Sequence, residues 1–304
     1  MSVLHDLDGW PEAPLHVALG VFDGVHVGHR SMLGRLVRSA RRARARAVAA
    51  TFDPLPEVAL GQDAAGGSLS TIAERIRLLH AAGADDVAVF RFDAAFAAQS
   101  PDRFLERLCA AGEVQRVIVG HGFRFGAGRE GDEATLQAAG RRRGFDVETV
   151  EPIELDGGII SSTRIREALR AGDLAVAQRL LGAPYAADGV VAHGRQRGRE
   201  LGYPTINVTT PVEKLLPRDG IYACRVEVAG ATHAAATSLG TRPTFGPGPR
   251  TLECHLLDFS GDLYGAAVRV HFIRRLRDEL TFSGPAALAE QIARDVEETR
   301  AALA

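Results

Sequence analysis

The sequence predicts an α/β domain on a doubly wound parallel sheet (Rossmann-like), followed by a small antiparallel β-barrel that ends in a helix. Three observations carry that expectation. In the first half, short apolar runs alternate with helical stretches, the signature of a parallel sheet covered on both faces. Gly182-Ala183-Pro184 then breaks the pattern and sets domain limits at 1–182 and 183–304. Beyond it come short strands spaced by Gly and Pro, as in a small closed barrel.

The first apolar run, 16–22, reads as a buried strand. A helix over 31–46 and a strand over 47–52 follow. The alternation continues with a helix at 71–82, a strand at 86–90, a helix at 101–110, a strand at 116–119 and a helix at 132–143. Residues 62–67 are small and polar and read as a loop. Two short helices, 162–171 and 174–181, close the unit. Strands are then expected at 189–192, 205–208, 220–228, 234–239, 252–257 and 267–272. The 252–257 run alternates with period two, so one of its faces turns inward. A last helix spans 285–302.

Composition narrows the function classes. An apolar fraction of 46% and a net charge of −2 describe an ordinary globular chain with no global attraction to nucleic acid or an anionic membrane. The three cysteines, Cys109, Cys224 and Cys254, form no Cys-x-x-Cys pair and read as reduced cytoplasmic thiols. Acidic residues, Trp10 and Pro11 stand where a signal peptide would need a basic start and an apolar run. No apolar stretch approaches the ~18–20 residues of a membrane span. A soluble cytoplasmic protein acting on small molecules is expected, with weak self-association left open. Lys214 is the only lysine, so phosphate chemistry here must rest on Arg, His, backbone N–H groups or a metal. The arginines 38, 41, 42, 44 and 46 lack interleaved aromatics and read as a solvated helix face.

The segment Gly20-Val21-Phe22-Asp23-Gly24-Val25-His26-Val27-Gly28-His29 sits where the first strand turns into a helix. Ligands of open α/β sheets bind beyond the carboxyl ends of strands. A helix N-terminus there presents N–H groups and a positive dipole end to phosphate. Histidines at i and i+3 can face one phosphate and stabilise the charge that grows on it during nucleotidyl transfer. Further on, Ser161, Ser162 and Thr163 open a helix with hydroxyls, and Arg164 and Arg166 add charge-assisted donors for a polyphosphate.

A second constellation begins after the breaker. Gly194, Gly198 and Gly202, interleaved with arginines such as Arg199, describe a loop able to close over polyphosphate. No Gly-x-x-x-x-Gly-Lys-Ser/Thr occurs, which excludes a P-loop. Thr205 and Asn207 stand at i and i+2, so on a strand they face one side as neutral oxygen ligands for Mg²⁺ carried by ATP. Glu253 lies within a strand pattern, where a carboxylate needs a reason. It is the candidate base for a substrate hydroxyl attacking a γ-phosphate, unless that side of the strand faces solvent.

In order along the chain, Gly20–His29, Thr51-Phe52-Asp53-Pro54, Phe123-Arg124-Phe125-Gly126 and Ile160–Arg166 resemble the adenylyltransferase half of the prokaryotic bifunctional riboflavin kinase/FAD synthetase family. Pro204–Asn207, Gly240–Phe245, Asp262–Gly265, Arg277 and Phe282 resemble its kinase half. The resemblance implies ATP-dependent phosphorylation of riboflavin to FMN and adenylylation of FMN to FAD. It implies that His26 and His29 stabilise the α-phosphate of ATP. Gly20, Phe22, Asp23, Gly28, Ser161, Ser162, Thr163 and Arg166 would surround that nucleotide, and Phe123 and Phe125 the flavin beside it. In the second half it implies a glycine-rich nucleotide flap, Mg²⁺ on Thr205 and Asn207, Glu253 as base, and riboflavin between the barrel and the last helix near Arg277.

Three departures from the family pattern stand out. Leu55-Pro56 follows Pro54 where the family has His-Pro; His121-Gly122 precede Phe123 where it has Asp or Asn; Ser238-Leu239 replace Asn-Ile. Two alternatives therefore accompany the bifunctional expectation: a riboflavin kinase whose first domain has lost or changed its reaction, and a non-catalytic flavin- or nucleotide-binding regulator.

Overall fold

The computed structural model describes residues 2–61, 67–193, 202–241 and 250–304. The chain divides into two compact units, Met1–Ser162 and Thr163–Ala304.

The first unit is a six-stranded parallel sheet. Its strands are β1 (Ser2–His5), β2 (Pro14–Leu19), β3 (Arg46–Asp53), β4 (Asp86–Arg91), β5 (Glu113–Gly120) and β6 (Asp146–Val150), in the order β1-β4-β3-β2-β5-β6. Helices α1 (Val27–Ala43), α2 (Pro56–Ala59), α3 (Ile72–Ala81), α4 (Ala94–Ala97), α5 (Pro101–Ala110) and α6 (Glu133–Arg143) connect them, and a short antiparallel hairpin of β7 (Glu154–Leu155) and β8 (Gly158–Ile159) follows. Alternate residues of the central strands feed two cores. Leu15, Val17, Leu19, Val48, Ala50, Val117 and Val119 meet α5 and α6 on one face. Ala18, Ala47, Ala49 and Ile118 meet α1 and α3 on the other. The winding reverses between β2 and β5, and the crevice at their carboxyl ends is the place where such sheets bind ligands.

The edge strands β1 and β6 are largely outside the periodicity argument, because their exposed positions leave no continuous apolar run. Helix α1 starts at Val27, four residues before the expected start, because His26 takes the cap position: its Nδ1 accepts the His29 N–H at 3.3 Å. Thr71 and Glu74 start α3 with a reciprocal capping box.

The second unit opens with most of α7 (Ser162–Ala171) and α8 (Leu174–Leu181). The two helices, expected to close the first unit, thus group with the barrel. Gln178 on α8 donates to the carbonyls of Phe272 and Ile273 at 3.0 and 2.8 Å, tying that helix to a barrel strand. Strands β9 (Tyr185–Ala192), β10 (Ile206–Thr209), β11 (Gly220–Val228), β12 (Ala231–Gly240), β13 (Thr251–Leu256) and β14 (Ala267–Arg277) close in the order β10-β13-β12-β11-β14-β9. All their pairings are antiparallel. Cys224, Thr237, Leu252, Cys254, Val270 and Phe272 are buried in the barrel unit. Burial pushes the Cys254 thiol up to about 12 and Cys224 upward as well, so both stay protonated and unreactive. Helix α9 (Pro285–Leu303) lies against β11, β12 and β14.

Candidate active sites

The first site grows from the end of β2. Phe22, Gly24 and Val25 all take left-handed backbone, at φ 54°, 76° and 42°. That conformation is strained for a β-branched residue and persists only where the surroundings enforce it. Enforcement comes from Asp23, whose carboxylate is buried and accepts N–H groups of Leu69 (3.0 Å) and Ser70 (2.9 Å) and the Ser70 hydroxyl (3.1 Å). The Gly24 N–H donates to Ser70 Oγ at 2.9 Å, and the Ser162 hydroxyl to the Asp23 carbonyl at 3.1 Å.

The turn delivers His26 and His29 to the start of α1 as a stacked pair, centroids 3.6 Å apart and planes 16° from parallel. Phe22 meets His29 edge-on at 5.2 Å. Because His26 Nδ1 accepts a backbone N–H, its proton sits on Nε2, which is left to donate. Burial lowers His26 to about 4, with Asp23 opposing. Burial, His26 and Arg75 hold His29 well below the usual histidine range. Both rings are therefore neutral donors at neutral pH, and the enclosed His29 Nδ1 has no hydrogen-bond partner among the described residues.

The other residues expected around this nucleotide fall into distinct places. A Cβ on Gly28 would meet the His26 ring at 3.2 Å, and one on Gly20 the Phe22 ring at 3.0 Å, so both glycines make room for neighbouring rings. Phe22 and Asp23 are buried and shape the turn from within. Ser161 and Ser162 belong to the first unit; Thr163 and Arg166 follow on α7 within the second. Phe123 and Phe125 stack at 5.6 Å, but Phe125 packs into the core near Phe104, so only Phe123 keeps open surface for a flavin. Leu55 is buried. Gly122 stands at φ 71° with open space around it, its N–H donating to Glu133 Oε1 at 2.6 Å.

The second site lies on the outside of the barrel. Period two sends Leu252, Cys254 and Leu256 inward and Thr251, Glu253 and His255 outward. Glu253 pairs with Asn207 on β10 and with Ser238 on β12, a polar row of amide, carboxylate and hydroxyl. It is half-buried rather than bathed in solvent, and Thr251 Oγ1 donates to its Oε1 at 3.0 Å. Thr205 precedes β10 instead of lying within it, and His255 fixes its approach through the Pro204 carbonyl at 2.8 Å. Gly202 has φ 82°. Gly194, Gly198 and Arg199, like 242–245 of the Gly240–Phe245 motif and most of the 62–67 loop, lie outside the described residues.

Arg277 grips Asp295 on α9 through Nε and Nη2 at 2.8 and 2.6 Å. Asp295 is buried and also accepts from Gln291 at 2.9 Å, so the Arg277 charge is committed to anchoring the helix. Ser70, Arg75 and Asp295 drew no notice in the sequence. The Thr71-x-x-Glu74 capping signal beside Ser70 and Arg75 was the available clue.

Among the described residues no group of three or more His, Cys, Asp or Glu side chains could hold a metal ion. A divalent ion at Thr205 and Asn207 would therefore need phosphate oxygens to complete its shell. Nor is any helix of the described residues long and apolar enough to cross a membrane.

Comparison with known proteins covers both units. A family model described as FAD synthetase matches residues 11–164, and one described as riboflavin kinase matches 181–303. The bifunctional riboflavin kinase/FMN adenylyltransferase of Escherichia coli strain K12 is 39% identical over 96% of this chain and 94% of its own. The Bacillus subtilis strain 168 protein of the same name is 34% identical over 97% and 94%. A solved structure titled as a macrolide-efflux protein from Streptococcus pneumoniae superposes with a TM-score of 0.88, at 31% identity over 98% of each chain.

Proposed function

Since the chain belongs to the bifunctional riboflavin kinase/FMN adenylyltransferase family, we propose that the two polar constellations divide its two reactions between them. The observation that carries this is the fall of the two family matches on two separately built regions, each with its own phosphate-handling groups. The limits proposed for the two halves stay at 1–182 and 183–304, while the family matches run over 11–164 and 181–303, the second beginning two residues before that boundary.

In the kinase half, Glu253 draws the proton from the ribityl hydroxyl as that oxygen attacks the γ-phosphate and ADP leaves. Thr205 and Asn207 are the neutral oxygens that would hold Mg²⁺ arriving on ATP, an ion that neutralises phosphate charge. Gly194, Gly198, Arg199 and Gly202 are assigned to nucleotide binding on the sequence pattern alone. Arg277 acts by pinning α9 beside the riboflavin rather than by lending it a charge.

In the adenylyltransferase half, the phosphate of FMN attacks the α-phosphate of ATP and pyrophosphate departs. His26 and His29 donate to the oxygens on which charge accumulates, aided by the N-terminus of α1. Ser161, Ser162, Thr163 and Arg166 take the phosphate tail, and Phe123 flanks the flavin. Neutral rings suit this task, since each donates without first losing a competing counter-ion.

Incubating the purified protein with riboflavin, ATP and Mg²⁺ and separating the flavins by chromatography tests both halves. FMN should appear first and FAD after it. Folded protein yielding neither would overturn the proposal.

A further inference from the structure

Arg75 is a fully buried arginine at the foot of the histidine site. Its Nη1 donates to Thr51 Oγ1 at 3.2 Å and to the Phe52 carbonyl at 2.8 Å; its Nη2 donates to the Ser70 carbonyl at 3.3 Å. Two of these contacts, those to Thr51 and Ser70, start a chain. Thr51 donates its own hydroxyl to the Val21 carbonyl at 2.7 Å. Ser70 holds Asp23 by its N–H and hydroxyl, and takes the Gly24 N–H. One chain ends at Val21, immediately before the strained turn, and the other within it at Asp23 and Gly24, just ahead of His26.

We infer that Arg75 is a positioning residue for adenylyl transfer: its planar fork, acting through Thr51 and Ser70, clamps the 22–25 turn and so fixes where His26 and His29 point. The inference rests on the assignment of that reaction to the two histidines. A fork is required because the three acceptors lie on two separate segments, the end of β3 and the loop before α3. A lysine ammonium is a point charge on a flexible stem and does not present the same rigid geometry. The strain at Val25 gives the clamp its purpose. Released, the turn would relax toward ordinary backbone and carry the rings off the phosphate, and small misplacements of catalytic groups are costly to rate. Arg75 also contributes to keeping His29 neutral, after burial and His26.

The test uses the full chain with Arg75→Lys, Ser70→Ala and the double variant. FAD formation from FMN should lose roughly tenfold or more in kcat in each single variant, with the ATP KM within about threefold. FMN formation should match the parent. The double variant should be no slower than the worse single one, because both changes open the same clamp. Full-rate FAD formation by Arg75→Lys would show that only charge matters and would overturn the inference. So would effects that multiply, or a parallel fall in FMN formation. Wild type and His29→Ala run alongside. Wild type that makes no FAD, or His29→Ala at full rate, would instead sink the histidine assignment. The imidazole proton resonances then decide separately: those of His26 and His29 should move in Arg75→Lys and Ser70→Ala, and unmoved resonances would overturn the clamp.

Discussion

Asn207 and Glu253 stand directly opposite one another across β10 and β13, with Ser238 on the far side of the carboxylate. The register makes the grouping rigid, since a slip of one residue would turn Glu253 into the barrel. If Glu253 is the base, as proposed, conversion to an amide removes that function but not its place. Glu253→Gln should therefore slow FMN formation by about 10²–10⁴-fold. Conversion of supplied FMN to FAD should continue at the parent rate. Separate steady-state assays of the two steps check this, and equal losses in both would refute the division of labour.

His29→Ala should do the reverse. On the proposed assignment it removes a donor from the α-phosphate, and it unstacks His26, whose ring lies 3.6 Å away. Loss of one such donor costs about 10²–10³-fold in kcat. FAD formation should fall by that amount while phosphorylation of riboflavin is spared, as initial rates on each substrate would show.

Much of this was legible in the sequence, and the exceptions share a cause. The alternating elements and the barrel follow from period and local chemistry, whereas the strand pattern alone leaves open which face Glu253 takes, and the structure turns it outward. What period cannot convey is how a polar group is used once the chain closes. Asp23 looks like a ligand-facing acid and instead braces a turn from inside. Phe125 sits two residues from Phe123 yet belongs to the core, because the Phe125–Gly131 bridge folds that segment back. Arg277 looks available and is taken by an aspartate eighteen residues on. Arg75 is invisible because Thr51, its partner on β3, is 24 residues away in the chain and meets it only once the sheet has formed.

The histidine pair also makes a pH prediction. His26 titrates near 6.5 when unfolded and at about 4 when folded. Between those values the unfolded chain binds more protons, so the stability His26 confers is present above pH 6.5 and drains away as pH falls toward 4. For His26 alone the effect is on the order of 3 kcal/mol. Trp10, the only tryptophan, is buried in the core of this unit and reports its unfolding. Urea midpoints followed by its fluorescence should drop through that window without ligand, and His26→Asn should flatten the dependence.

Asp295→Asn should loosen the C-terminal helix. The side chain is only 5% exposed, and that of Arg277 19%. Breaking a buried pair from one side leaves an uncompensated charge, at roughly 3 kcal/mol. Amide exchange across 285–303 should quicken, and the riboflavin KM should rise more than kcat falls. An unchanged KM with a freed helix would place riboflavin elsewhere.

Gly122 offers the sharpest test of what the departures mean. The family carries Asp or Asn here, and the backbone, at φ 71°, is of the left-handed kind that Asn tolerates better than most residues. Nothing lies within 4 Å of the position a Cβ would take, so Gly122→Asn meets no clash and its stability cost, on the order of 1 kcal/mol, is the strain of a side chain on left-handed backbone. Its amide would enter a polar corner already holding His121, whose Nδ1 is 3.9 Å from both Glu133 and Glu151. If the missing side chain once met the substrates, the variant gains a hydrogen bond worth about 1 kcal/mol, and the KM for FMN or ATP in FAD formation falls roughly fivefold. Riboflavin phosphorylation should not respond. The same rate with and without the amide would show that Glu133, which already engages the Gly122 N–H, and His121 have taken over that corner, and that the adenylyltransferase half works without the family's usual residue.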